Sequence, residues 1–386
     1  MLRKRRDVER SEALQHRSSS ATAVWITTMD FTAGDKPQVI LHIHKTLNYT
    51  LFDTKWIPAS PRCVLLGNHA RGTGALQIMN MKEGELQMVK EKEKTDAIKC
   101  GTFGHSSLAE RSLATGDFKG MMEIWDLENL AVPIYSAKAH NSIINCMDGC
   151  GGTVGAGAPE IVTASRDGCV RVWDPRQKDV PVAALEPSEG EAARDCWCVS
   201  FGNAHTAEDR CVAAGFDNGD VKLWDLRTNE IRWETCVGNG VCGVEFDRMD
   251  IPMNKLVATT LENLVHCFDV RTQHPHEGFA SKRVNTSAST IWSARHLPQN
   301  RDVFAACCGN GDIMLYKYSY PKERSVKDAD GIPKGVAGDL KLLNKKNLST
   351  QPICSFDWHP DKRGLCVMGS FDQSVRVAIV TQLDKV

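Results

Sequence analysis

The sequence runs to 386 residues with a formal net charge of −1, 42% hydrophobic and 25% charged residues. That profile describes a globular chain with apolar side chains for a large core, and near-neutral charge excludes a protein built mainly to grip nucleic acid or an anionic membrane. The 15 cysteines include no pair of CxxC knuckles for structural zinc; those in apolar runs, such as Cys100, Cys169, Cys211, Cys267 and Cys366, read as small buried hydrophobes in a reducing compartment.

In chain order, residues 1–35 stand apart. Arg3, Lys4, Arg5 and Arg6 open a polar, Ser-rich stretch whose apolar patch, 21–26, is too short for a signal-peptide core or a membrane span. It reads as a disordered basic tail, with a nuclear address or a transit peptide as alternatives; Asp7, Glu9 and Glu12 weigh against the last. Organised sequence starts just beyond Met29, which makes Met29 a candidate functional start. The segment PQVILHIHK (37–45) then alternates like a strand.

From there one pattern recurs seven times: an apolar strand, a Gly/Asp/Asn turn, an alternating strand, and an aromatic followed by a polar residue. The aromatic slot holds Met79, Trp125, Trp173, Trp224, Phe268, Tyr316 and Ala378, at intervals of 44 to 51 residues with a last interval of about 62. The long interval is assigned to a polar insertion loop at about 319–347. A further strand precedes each copy, as in LFDTKWIPAS (51–60) and ICSFDWHPD (353–361). Four short strands per unit and no sustained helical period predict an all-β, seven-bladed WD40 β-propeller over 36–386. The last copy supplies only three strands, so 37–45 is expected to pair with 374–381 and close the ring, removing an aggregation-prone edge.

The third copy carries a full polar set: His140 is expected to bond Asp167, with Ser165 linking the pair to the Trp173 indole. A Ser, a His and an Asp also suggest a hydrolase triad, but at this spacing the set reads as structural. GCGGTVGAGAP (149–159) has no GK[ST] and leads into a strand-like run, so it reads as a connecting loop, not a phosphate loop. His42 and His44 share a strand face without an evident third metal ligand. No cofactor, metal or catalytic constellation is expected, and the chain reads as a protein-binding scaffold and not an enzyme.

Aligning the inner strands on their last large residue places Phe52, Lys99, Ile144, Trp197, Cys242, Trp292 and Cys354 at the channel entrance. A second position, in the turns, offers Phe118, Arg166, Leu261 and Phe371. These side chains either plug the channel or form a rim for protein partners; aromatics with a few cations suit the rim. Phe52, Lys99, Phe118, Arg166, Trp197, Leu261, Trp292 and Phe371 are the candidate protein-binding residues. The endings WDPR, WDLR and FDVR, with Arg176, Arg227 and Arg271, resemble the WDxR box of cullin-4 ubiquitin-ligase substrate receptors, which is the alternative function.

Strings outside the generic repeat carry a narrower resemblance. ARGTG (70–74), IKCGTFG (98–104), GAPEIVT (157–163), WDPRQKD (173–179), MNKLVAT (253–259), RHLPQNR (295–301) and PDKRGLCV (360–367) resemble the WD-repeat axonemal dynein assembly factors, with matches from Lys36 onward. The basic extension before Met29 departs from that family's usual short start. The resemblance implies a cytoplasmic co-chaperone, with cilium or flagellum as a further location. Its implied partners are R2TP-type AAA+ ATPases with their tetratricopeptide adaptor and Hsp90, and its clients axonemal dynein chains. Family members are also linked to apoptosis. ATP hydrolysis would then belong to the partner, and no nucleic acid or membrane is involved.

Overall fold

The computed structural model describes residues 36–386 except 178, 179, 189, 191, 287 and 288; the readings of residues 1–35, Met29 included, lie outside the described residues. The described residues form seven four-stranded antiparallel sheets and no helix. Each sheet is one blade, its strands running outward in chain order except in blade 7, whose outermost strand is the first of the chain. Blade 1 starts at Thr50–Trp56, blade 2 at Ile98–Thr102, blade 3 at Ile144–Cys150, blade 4 at Cys196–Gly202, blade 5 at Val241–Phe246, blade 6 at Ile291–Leu297 and blade 7 at Ile353–Trp358. Each of these inner strands contacts that of the next blade, and the seventh contacts the first, so the ring is complete.

The period-2 pattern explains the packing. Along each blade the slot residue faces a neighbouring blade, and all seven, from Met79 to Ala378, are buried. The Asp after the slot does local work: in blades 2 to 5 its carboxylate accepts the amide two residues on, from Glu128, Arg176, Arg227 and Arg271, at 2.9 to 3.1 Å. This Asx turn bends the backbone toward the outermost strand.

Closure follows the expected route. Gln38–Thr46 lies antiparallel to Ser374–Thr381 in eight residue pairs and supplies the outer strand of blade 7. Its Val39 and Ile43 are buried, and Ile43, with Leu47 and Tyr49, packs in one cluster with Val367, Val375 and Val377.

Blade 6 departs from expectation. The segment expected to be a loop, 319–347, is two different things. Asp339–Asn347 pairs with Asp312–Ser319 as the outer strand of the blade, and only 320–338 leaves the sheet. The sequence DLKLLNKKN reads as polar because this strand buries just one side, through Leu340 and Leu343. The excursion forms a small hairpin, Ser325–Lys327 with Pro333–Gly335, strapped to blade 5. Arg324 grips Asp269 through two contacts of 2.7 Å, His274 meets Asp328 at 3.0 Å, and Lys334 meets Glu277 at 2.7 Å.

Candidate protein-binding mouth of the channel

A register irregularity recurs in all seven inner strands. Between Leu51 and Asp53, Ile98 and Cys100, Ile144 and Cys146, Cys196 and Cys198, Val241 and Gly243, Ile291 and Ser293, and Ile353 and Ser355 one residue is left unpaired. A bulge re-aims the extra side chain. Here the extra residues are Phe52, Lys99, Asn145, Trp197, Cys242, Trp292 and Cys354, and all seven line one cavity of about 320 Å3 on the channel axis. Counting along the sequence puts Ile144 in this ring. Instead Ile144 is fully buried and Asn145 takes the position, because blade 3's inner strand ends in Gly149–Cys150 and offers no aromatic landmark for counting.

The turn residues complete the mouth. Phe118 lies 5.3 Å from Phe52 between ring centroids, Phe52 lies 6.4 Å from Phe371, and Phe371 meets Trp292 edge-on at 5.6 Å. Lys99 Nζ sits 4.7 Å from the Phe52 centroid. Across the opening, Trp197 and Leu261 both press on Gly240, where an added Cβ would fall 2.5 Å from the Trp197 ring. Arg166 is exposed, 3.9 Å from Asp195; the other seven candidate residues are half-buried. The structure therefore gathers aromatic residues of blades 1, 2, 6 and 7 into one arc and sets Trp197, Leu261 and Arg166 beyond it.

Below the mouth lie charges that the sequence reading did not single out. Lys55 and Arg295 line the same cavity. Asp53 accepts the Gly101 amide at 3.0 Å, Asp148 that of Phe201 at 2.9 Å, Glu245 that of His296 at 2.8 Å, and Asp357 that of Trp56 at 2.7 Å. Each bond joins one blade to the next and stiffens the ring. Asp148, Glu245 and Asp357 each fall three residues after the bulge, a register signal detectable once the bulges are aligned. Burial pushes the Asp357 carboxyl up to about 6 against the pull of Lys55. For Glu245 burial acts upward too, but His296 and Arg295 outweigh it and hold the carboxyl below its usual range. The half-buried thiols beside them are shifted as well: desolvation raises Cys242 and Cys354 to about 12, far from the low values of reactive cysteines.

The polar set of blade 3 forms with one member exchanged. His140 Nδ1 meets Asp167 at 3.1 Å, but Thr163, not Ser165, joins the histidine to the tryptophan. Thr163 Oγ1 lies 2.8 Å from His140 Nε2 and accepts from Trp173 Nε1 at 3.0 Å, while Ser165 Oγ accepts the Asp167 amide at 3.1 Å. The register explains the exchange. Ile161 pairs with Trp173, so Thr163 is the diagonal neighbour on the same face, and Ser165 is two residues further away. Blade 2 repeats the contact between Trp125 and Thr115 at 3.0 Å. Blade 4 has Ala214 at that position, and the Trp224 indole turns to Asn229 at 3.2 Å. Thr163→Val is expected to cost about 1–3 kcal/mol by stranding two buried partners, and Ser165→Ala about 1 kcal/mol or less. Chemical-denaturation midpoints check this; the reverse ranking would restore Ser165 as the link.

Comparison with known proteins accords with this geometry. A family model described as "WD domain, G-beta repeat" matches residues 131–174, the stretch holding the polar set of blade 3. Three proteins named Dynein axonemal assembly factor 10 align along nearly their full lengths. The Xenopus laevis protein is 60% identical over 91% of this chain and 98% of its own, the Homo sapiens protein 59% over 92% and 100%, and the Chlamydomonas reinhardtii protein 57% over 91% and 99%. The chain belongs to the dynein axonemal assembly factor 10 family.

In this family member Arg176, Arg227 and Arg271 are all exposed, and Arg176 is held at 2.6 Å by the carboxylate of its own Asp174. His42 and His44 are exposed on the closing strand, and no group of three His, Cys, Asp or Glu suited to a metal occurs among the described residues.

Proposed function

We propose that the chain acts in the assembly of axonemal dyneins, as a rigid, non-catalytic ring whose channel mouth holds protein partners. The observation that carries this reading is 57–60% identity along nearly the whole length of proteins so named, from a frog, a human and a green alga. The mouth supports the second half: its aromatic arc is half-buried, and aromatics backed by cations are what interface hot spots are made of. A closed ring with carboxylate-to-amide bonds at four of its seven blade-to-blade seams makes a pre-organised surface, which lowers the ordering cost of binding. The ring works in the cytoplasm alongside R2TP-type AAA+ ATPases, their tetratricopeptide adaptor and Hsp90, and passes dynein heavy chains onward to the cilium or flagellum.

Affinity purification from flagellated cells tests this. The tagged protein is expected to recover the AAA+ ATPases and dynein heavy chains, and the double variant Trp197→Ala/Trp292→Ala at least tenfold less of one of them, with its melting temperature kept. Unchanged recovery of both would remove the mouth from the reading. Intact dynein arms in cells lacking the protein would remove the assembly role itself.

A further inference from the structure

The blade 6–7–1–2 sector of the mouth offers hydrogen-bond donors and cations, and Asp53, the one acid among the described residues lining its cavity, is committed. Lys99 lies over Phe52, and Lys119 follows Phe118 in its turn; neither has a carboxylate within ion-pair distance among the described residues. Trp292 Nε1 and Ser289 Oγ are buried without a hydrogen-bond partner there. Both lie against Gly309, where a Cβ would fall 2.9 Å from the hydroxyl and 3.4 Å from the indole nitrogen, so the glycine leaves a small space beside two unused polar groups. Buried donors without partners are costly, and an indole N–H can only donate.

Three carboxylates beside the arc, those of Asp53, Asp117 and Asp372, are engaged, and Asp96, in the loop that leads into blade 2, is the acid of this sector with no bond to a cation among the described residues. Asp53 is taken by Lys55, Ser355 and the Gly101 amide. Asp117 is taken by Lys94 and by the amides of Lys119 and Met121. Asp372 is taken by Arg376, Ser349 and Ser370. What is left facing outward is an apolar arc bordered by unmet positive charge and donors. Its complement is an acceptor-rich, anionic segment with a large apolar side chain.

Resting on the reading of the mouth as a contact surface, we infer that the mouth captures an acidic peptide segment. A carboxylate lies toward Lys99 and Lys119, and an aromatic or leucine side chain packs on the arc formed by Phe118, Phe52, Phe371 and Trp292. The carboxylate belongs to Asp or Glu side chains or to the C-terminus of a polypeptide, which is the same chemistry at Lys99.

Three fluorescein-labelled hexapeptides titrated into the full-length protein test it. The first is Glu-Asp-Phe-Asp-Leu-Glu with its C-terminus amidated, the second its Gln/Asn counterpart, also amidated, and the third that counterpart with a free C-terminal carboxylate. The acidic peptide is expected to bind at least tenfold tighter than the amidated counterpart and to weaken as salt rises. Lys99→Met should weaken it at least fivefold and Lys99→Glu at least twentyfold, with unchanged thermal melts. Tight binding of the third peptide assigns the carboxylate to a peptide terminus, and its weak binding assigns it to side chains; either outcome supports capture of an anion. Equal binding of the first two peptides, no binding of any up to 1 mM, or indifference to Lys99→Glu would overturn the inference. If Lys99→Glu keeps the cellular partners that Trp197→Ala/Trp292→Ala loses, the mouth stands as a contact surface and only its acidic preference falls.

Discussion

Deleting residues 38–46 is expected to leave a protein with no cooperative thermal transition that is recovered largely in the insoluble fraction. The strand closes blade 7 through eight residue pairs, and no other described strand can take its place, since the outer strands of blades 1 to 6 are each engaged in their own sheets. Val39 and Ile43 are buried, and Ile43 packs together with Leu47, just past the strand, against blade 7, so that the deletion also strips Leu47 of its neighbour. Losing the burial of such side chains costs roughly 1.5–3 kcal/mol each. Together they rival the whole net stability of a domain, about 5–15 kcal/mol. The deletion also uncovers the Ser374–Thr381 edge, rich in Val and Ile, which is a template for aggregation. A graded version is Ile43→Ala, expected to cost about 2–5 kcal/mol while leaving the ring closed. Circular dichroism melts of both variants check the pair. A deletion variant that melts like the parent would mean that the ring does not need its donated strand.

How much of this was legible in the sequence follows from which signals survive in a blade. The blade number and the closing strand were readable because six of the seven slot residues are bulky and all are buried, and because 37–45 alternates cleanly. The mouth aromatics were readable for a related reason: the inner strands of the other six blades carry, at or just past their ends, an aromatic landmark from which to count. Where the landmark is missing the count slips, as in blade 3, and Ile144 took the place of Asn145. The outer strand of blade 6 was hidden because five lysines and asparagines in nine residues look like a loop, although one buried face suffices for an outermost strand. The Ser165 assignment failed for a third reason. Sequence distance to Trp173 favours Ser165, but a tryptophan reaches across the hairpin to its diagonal neighbour, and only the pairing register identifies that neighbour as Thr163.

The carboxylates joining the blades show what single-copy reading leaves out. Asp148, Glu245 and Asp357 are ordinary acidic residues in their own repeats. Their role is visible only when the next blade's backbone is placed beside them, because each accepts an amide from a strand roughly 50 residues or more away, or at the other end of the sequence. The same holds for Lys55 and Arg295, whose charges sit in the channel only because blades 1 and 6 both turn their inner strands toward the axis.

The strap of residues 320–338 rests on a buried cation, and removing it should be the most costly single substitution away from the ring closure. Lys255 and Asp247 have side chains just 1% exposed and lie 3.1 Å apart; Asp302 lies 2.7 Å from the ammonium on its other side. The Tyr320 hydroxyl also bonds the ammonium, whose charge sits 4.6 Å from the Tyr320 ring centroid, while Arg324 stacks on the same ring at 4.9 Å. Lys255→Met keeps the length of the side chain but leaves Asp247 buried without its cation, a loss of about 3–5 kcal/mol. Adding Asp247→Asn should return part of it, which a double-mutant cycle measures. Burial works to lower the lysine's pKa, but Asp247, Asp302 and Tyr320 outweigh it and hold the value above the usual lysine range. A cation whose folded value is raised contributes fully below the unfolded value of about 10.4 and loses its contribution as pH climbs through the folded one. The gap in stability between the parent and Lys255→Met should therefore be constant up to about pH 10 and narrow above it. With Tyr320 unanchored, trypsin should also cut the strap at Lys322 and Lys327 sooner than in the parent. An unchanged cleavage pattern together with a loss below 1 kcal/mol would mean that the strap is held by Arg324, His274 and Lys334 without help from the buried lysine.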